Sequence, residues 1–221
     1  MNSVTDKLDE IMEQASQALA DMDYLACEAL CVQALTEARE QKRYRYYARV
    51  LLPLQEARRQ RRMIAAQGEV LLGGTAGGTA GGAAEGIDWD AWLAEDKPGC
   101  LALTHPNTVE DAKALAERAR EQGRFVEVLF ADNQPDTAKW LLRAYEGPEV
   151  SCEVDAPTES QAPSQWFLNA TEKLGDAALS TVDETLTGEA RVEALEARLR
   201  VFPDHELLHQ HLAQAARAVG T

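Results

Sequence analysis

Three of the four histidines stand close together near the C-terminus, at a spacing that can bind a metal ion. The segment Asp204-His205-x3-His209-x-His211 puts two imidazoles one helical turn apart, so that they share a helix face. At about 100° per residue, however, His205 and His209 lie on one side of the apolar stripe and His211 lies on the other. The three rings therefore cannot converge on one ion. We predict no metal site here, and expect two partly exposed histidines near a helix start with Asp204 as the capping residue.

The four cysteines could act as nucleophiles or as zinc ligands. Zinc sites use closely paired knuckle cysteines, and a nucleophilic cysteine needs a nearby base in electropositive surroundings. Cys27 and Cys31 lie one helical turn apart at packing positions. Cys100 has His105 nearby, but an odd separation along a strand points the two side chains to opposite faces. We expect the cysteines to be packing residues, and we predict no catalytic residue and no cofactor.

A further candidate is a ligand site at the carboxyl edge of a predicted sheet. In open α/β sheets ligands bind where the strands end, and polar residues follow each of three predicted strands. Such residues also fill these loops as caps and turns, and several acids there disfavour a phosphate ligand. The candidate ligand-binding residues are His105, Asn107 and Thr108 after the first strand, Asp132, Asn133 and Asp136 after the second, and Asp155 after the third.

Residues 42–62 carry eight basic side chains and a single acid, interleaved with tyrosines. Basic and aromatic residues that share one face are typical of a nucleic-acid surface. Here Arg45 and Arg49 lie opposite the apolar face of the predicted helix. Arg58 and Arg62 align with that face, so the charges encircle the helix. We therefore favour an acidic partner, or this protein's own acids, over nucleic acid. The candidate partner-binding residues are Tyr44, Arg45, Tyr47, Arg49, Arg58, Arg59, Arg61 and Arg62.

The elements that position these residues begin with helices. Residues 5–67 carry apolar side chains at intervals of three and four, which predicts helix throughout. Asp21-Met22-Asp23 interrupts the pattern, and a further helix begins near Arg43. We expect Pro53 to kink or break that helix, because its ring clashes with the carbonyl four residues earlier.

The first two predicted helices contain the run Ala15-x2-Ala18…Asp23-Tyr24-x2-Cys27-x3-Cys31-x2-Ala34-Leu35. This run resembles a tetratricopeptide repeat, in which two antiparallel helices meet through small residues. Ala15 takes the small position of the first helix, and Tyr24 takes the aromatic position at the turn. The usual tryptophan of the first helix is absent, and no proline closes the repeat near Arg39. The resemblance implies a helical hairpin of the kind used in protein–protein interaction.

Residues 73–86 consist largely of Gly, Ala and Thr. A phosphate-binding loop would end in Gly-Lys-Ser/Thr, because the lysine reaches the phosphates. This run ends in Ala84-Glu85 instead, and the next lysine is Lys97. We therefore predict a flexible linker.

Beyond the linker the pattern alternates between strand and helix. Strands are predicted near residues 99–105, 125–131 and 150–154, with helices opening at Asn107 and Pro135 between them. Such alternation favours right-handed crossovers and a small parallel sheet. Three more helices are expected after these strands, with caps at Ser164, Thr187 and Asp204.

The predicted fold is therefore a helix-rich α/β protein. Its parts are a tetratricopeptide-like helical domain in residues 1–72, the linker in 73–86, and an α/β domain in 87–221. That α/β domain would contain a three-stranded parallel sheet with flanking and C-terminal helices.

Charge and composition limit the function classes. The formal net charge is −15, and residues 68–221 hold twelve basic and twenty-seven acidic side chains. Such an acidic body disfavours non-specific binding to nucleic acid or an anionic membrane. There is no apolar run of membrane-spanning length and no secretory signal, and the few cysteines favour a cytoplasmic location.

We expect a non-enzymatic protein-interaction or scaffold protein, whose partner is another, acidic protein or peptide. Two alternatives remain. One is a small-molecule-binding or enzymatic α/β domain that uses the strand-end loops. The other is nucleic-acid binding through residues 42–62. The pattern leaves the oligomeric state open.

Overall fold

The computed structural model of this protein describes residues 7–72, 89–133, 138–145, 149–158 and 160–220. The whole of the predicted linker, residues 73–86, lies outside these described residues, as does Asp136.

The chain divides into two compact units. The first combines Met1–Arg61 with Val182–Thr221, and the second is Arg62–Thr181. Two of the three C-terminal helices predicted for the α/β domain, within residues 188–219, thus belong to the same unit as the N-terminal helices.

In the first unit, the regular spacing of small and apolar residues produces a helical hairpin. Helix α1 (Lys7–Ala20) buries Leu8, Ile11 and Ala15, and helix α2 (Tyr24–Glu40) packs against it. The buried residues of α2 are small, which lets the two backbones approach; they are Cys27, Cys31, Ala34 and Ala38. The carboxylate of Asp23 caps α2 by accepting a hydrogen bond from the Ala26 backbone N–H at 3.1 Å.

Helix α3 (Tyr44–Gln67) completes the N-terminal helical group, and it runs through Pro53 without a break. Of the kink or break predicted at this proline, the break is wrong. An interior proline costs about 3 kcal/mol, and burial of side chains before and after it offsets that cost. The buried residues on this face of α3 are Tyr47, Ala48, Val50, Leu51, Leu54 and Ala57.

Helices α7 (Gly188–Val201) and α8 (Glu206–Val219) form the second hairpin of the first unit. Pro203 follows α7, as expected. The residue at the N-cap of α8 is His205, with no side-chain capping bond, so the predicted cap at Asp204 is wrong.

The second unit is built on a five-stranded sheet in the order β1-β2-β3-β4-β5. The strands are β1 (Glu69–Leu72), β2 (Gly99–Leu103), β3 (Val126–Asn133), β4 (Lys139–Arg143) and β5 (Ser151–Asp155). Strands β1, β2 and β3 are parallel, whereas β4 runs antiparallel to both β3 and β5. The helix-rich α/β class is confirmed, but the sheet is mixed and has five strands instead of three parallel ones.

Two local features explain this difference. The helix predicted to open at Pro135 is wrong where it covers strand β4, because Trp140-Leu141-Leu142 is too short an apolar run to reveal its period. Strand β1 has four residues and directly precedes the glycine-rich run, so it gave no separate signal.

Three helices accompany the sheet in the second unit: α4 (Trp89–Ala94), α5 (Val109–Glu121) and α6 (Pro163–Ser180). Side chains of α4 and α5 form one apolar cluster with Leu101, Leu103 and Phe130 of the sheet. Helix α6 contacts β1, β2, β4 and β5, and its Trp166 meets Trp140 edge to face at 5.0 Å. Helix α6 begins at Pro163 after an Ala162 cap, so the predicted cap at Ser164 is wrong.

Candidate functional site

Two of the predicted strand-end residues, Asn107 and Thr108, form hydrogen bonds within their own turn. Thr108 is the N-cap of α5 and shares a capping box with Asp111, one position later than the helix start predicted at Asn107. The Asn107 side chain donates instead to the Thr104 carbonyl at 2.9 Å. Both side chains therefore stabilise the turn between β2 and α5, and His105 is exposed beside them.

The acids at the same sheet edge are neutralised by neighbouring strands. Asp132 lies within β3, where its carboxylate is 3.4 Å from a guanidinium nitrogen of Arg143 on β4. The Asp155 carboxylate is 2.5 Å from Lys139 Nζ, and this ion pair lowers the pKa of Asp155. Asn133 ends β3 next to these pairs. Asn107 and Thr108 thus bond within the turn before α5, and Asp132 and Asp155 form cross-strand ion pairs. The ligand site at this edge of the sheet stays a prediction.

The basic segment of residues 42–62 separates into inward and outward residues along α3. Arg58 and Arg61 both bind the Glu28 carboxylate of α2, with Arg58 Nε at 2.8 Å, and their side chains are only 11% and 10% exposed. Burial would raise the pKa of Glu28, but the two guanidinium groups hold it below its ordinary value. Arg58 also donates to the Pro203 carbonyl at 3.2 Å. These arginines join helices of the first unit to one another.

Arg62, the first residue of the second unit, is also turned inward. It lies 3.2 Å from the Glu172 carboxylate of α6 and donates to the Leu168 carbonyl at 2.8 Å and to the Thr171 hydroxyl. Its side chain is 13% exposed. Arg62 therefore fixes the start of the second unit to α6.

The two candidate tyrosines are buried as well. The Tyr47 hydroxyl donates to Glu196 of α7 at 2.7 Å, and burial raises the pKa of Tyr47. The Tyr44 hydroxyl accepts a hydrogen bond from Arg39, and Arg39 in turn lies 3.6 Å from the Glu196 carboxylate. These contacts tie α2, α3 and α7 together within the first unit.

The remaining candidates face solvent along one side of α3. Arg45, Arg49, Leu52 and Arg59 follow one another at intervals of four, three and seven residues, so they lie in one row on the helix. We call these four residues the outer row. Leu52 is 58% exposed, and Arg59 is 54% exposed and held by Glu56 through two bonds of 2.9 and 3.0 Å. The outer row therefore combines an exposed apolar side chain with three cations.

Two of the four histidines and three of the four cysteines are buried in the described structure. His205 and His209 are 3% and 1% exposed, so the expectation of partly exposed imidazoles is wrong. Cys27, Cys31 and Cys100 are buried, as expected. Burial raises the pKa of Cys100, which makes it less reactive.

Sequence reasoning missed the acids that bind the inward side chains Arg58 and Tyr47. Glu28 and Glu196 lie 30 and 149 residues from their partners in the chain, so no local pattern indicates them. The helical wheel did separate Arg45 and Arg49 from Arg58 and Arg62, and the structure places these pairs outward and inward accordingly.

Comparison of the chain with protein-family models, with curated proteins and with solved structures finds no match. In the part of the chain that the structure describes, no helix combines the length and apolar character needed to cross a lipid bilayer.

Proposed function

We propose that this protein is a non-enzymatic interaction or scaffold module, and that the tetratricopeptide-like helices of its first unit bind a partner protein. The observation that carries this proposal is the outer row of α3. Leu52 is the second most exposed large hydrophobic residue in the described structure after Met22. On a monomeric surface a single exposed leucine is ordinary, but here cations flank it on both sides along the same helix face.

The charge of the outer row supports an acidic partner. Of the arginines in residues 42–62, Arg58, Arg61 and Arg62 bind acids of this protein and are almost inaccessible. Arg45 and Arg49 have no carboxylate within ion-pair distance among the described residues. An exposed pair of cations on a chain of net charge −15 is a local positive patch, which favours a negatively charged partner surface.

The inward arginines also weaken the nucleic-acid alternative. A protein that binds a phosphate backbone needs several accessible cations along one surface. Arg58, Arg61 and Arg62 already form ion pairs with acids of this protein and are almost inaccessible. Arg59 is neutralised by Glu56. Too few unpaired cations remain on α3 for such a surface.

The test is affinity capture with full-length protein and matched variants. Arg49→Glu and Leu52→Asp change the outer row, whereas Val32→Asp and Arg120→Glu make the same changes at exposed positions of α2 and α5. We expect a set of proteins captured by the wild type and both controls, and lost with both outer-row variants. Identical sets for all five proteins, with folding confirmed by circular dichroism, would show that the outer row binds no protein.

A further inference from the structure

The two arginines at the start of the outer row are held in place before any partner arrives. Arg45 donates its Nε to the Gly220 carbonyl at 2.9 Å. Gly220 has no side chain, and a Cβ there would lie 2.9 Å from the Arg45 Cγ, so the glycine permits this close approach. The terminal nitrogens of Arg45 have no hydrogen-bond partner among the described residues.

Arg49 is held by an aromatic ring. Its guanidinium carbon lies 5.1 Å from the centroid of Tyr46, and that of Arg43 lies 4.0 Å from the same centroid. The Tyr46 hydroxyl donates to Asp9 of α1, which fixes the ring. A guanidinium group beside an aromatic ring keeps its N–H edges available for a carboxylate. Because these arginines lose little conformational freedom on binding, a contact with them gains affinity.

The spacing of the outer row defines what can bind it. Arg45 and Arg49 are one helical turn apart, and the exposed Leu52 lies one further turn along. A second helix that runs alongside α3 repeats its own side chains at the same intervals. Such a helix can offer two carboxylates and one apolar side chain in matching order.

We propose that the outer row binds an acidic amphipathic helix, with carboxylates one turn apart on Arg45 and Arg49 and an apolar side chain against Leu52. This inference rests on the proposed interaction function and names the class of partner. At the far end of the row, Glu56 and Arg59 already neutralise each other. The specific contacts are therefore concentrated between Arg45 and Leu52.

The binding test uses full-length protein and a labelled, helix-stabilised peptide of pattern Leu-x-x-Glu-x-x-x-Glu-x-x-Leu, which matches the row in either direction. A control peptide has the same composition, with the two glutamates moved to opposite helix faces. By fluorescence anisotropy we expect the matched peptide to bind about tenfold more tightly than the control peptide. Equal affinity for the two peptides would overturn the proposal.

Protein variants locate the site. Arg49→Glu should lower the affinity for the matched peptide about tenfold, whereas Arg120→Glu should leave that affinity unchanged. A peptide in which one glutamate is replaced by lysine should bind Arg49→Glu more tightly than the wild type. Equal effects of the two protein variants, or no recovery with the lysine peptide, would contradict the assignment.

An extended peptide with two phosphoserines is the last comparison. If it binds more tightly than the matched helix, the proposed acidic helix is wrong, although a protein-binding function would stand. Loss of both the helix binding and the variant-dependent capture described above would instead refute the proposed function itself.

Discussion

His209 makes the stability of the first unit depend on pH. The imidazole is 1% exposed, and its Nε2 donates to the Pro203 carbonyl at 2.8 Å. Its Nδ1 is buried and has no hydrogen-bond partner in the described part of the chain. Burial, together with the nearby Arg58 guanidinium, lowers the pKa of His209 from 6.5 to about 4. The folded unit therefore keeps this side chain neutral.

The direction and size of the effect follow from proton linkage. When the pH falls below 6.5, the unfolded chain takes up a proton on His209 that the folded unit does not, until the pH reaches about 4. The free energy of unfolding is therefore highest above pH 6.5 and decreases through this window. At about 1.4 kcal/mol per pH unit, the full loss is about 3 kcal/mol. Glu28 and His205 also face this imidazole, and they act on its pKa in opposite directions.

The assay is urea unfolding of the wild type and His209→Gln, followed by far-ultraviolet circular dichroism. The glutamine amide can still donate to the Pro203 carbonyl but does not titrate. Circular dichroism is needed because all four tryptophans lie in the second unit. Between about pH 7.5 and about pH 5 we expect the wild type to lose about 2 kcal/mol more than the variant. Parallel pH profiles, or an imidazole that titrates near 6.5 by NMR, would refute the reasoning.

Three further variants test the internal contacts of the first unit. Glu28→Gln leaves two buried guanidinium groups without their carboxylate, and should reduce the free energy of unfolding by about 3 kcal/mol; a loss below about 1 kcal/mol would mean that the pairs are solvated. Tyr47→Phe removes one hydrogen bond to a carboxylate and should cost about 1–2 kcal/mol in the same unfolding assay, whereas no loss would contradict the contact. The double variant Cys27→Ala, Cys31→Ala should cost about 1–3 kcal/mol, as a small core truncation does, and leave partner capture unchanged. Stoichiometric zinc, or rapid alkylation of the native thiols, would show that these cysteines do more than pack.

The sequence predicted most of the elements whose periodicity is local. Helices α1, α2 and α5 follow from apolar residues at intervals of three and four, and Gly123 ends the turn after α5 at a φ of 66°. The helix predicted over strand β4 is wrong, because the apolar run of this strand is too short to distinguish the helical period from the strand period. Pro53 is predicted to kink or break α3, but the helix continues through it because tertiary burial on both sides of the proline outweighs the local cost.

For the candidate partner-binding residues, too, the sequence indicates local features but not contacts between distant segments. The helical wheel separates outward from inward arginines, because that depends on one helix alone. It cannot indicate that Arg58 and Arg61 converge on Glu28 or that Tyr47 reaches Glu196, since these contacts depend on how distant segments fold together.

Site-specific photo-crosslinking tests the central claim most directly. A photoreactive phenylalanine analogue in place of Leu52 lies in the outer row, and the same analogue in place of Val32 lies on the exposed side of α2. In cells that express the full-length protein, we predict a discrete crosslinked partner from position 52 and none from position 32. That partner should be lost when Arg49→Glu is added to the position 52 protein. Crosslinking that is equal at the two positions, or that is insensitive to Arg49→Glu, would contradict the claim that α3 presents a partner-binding surface.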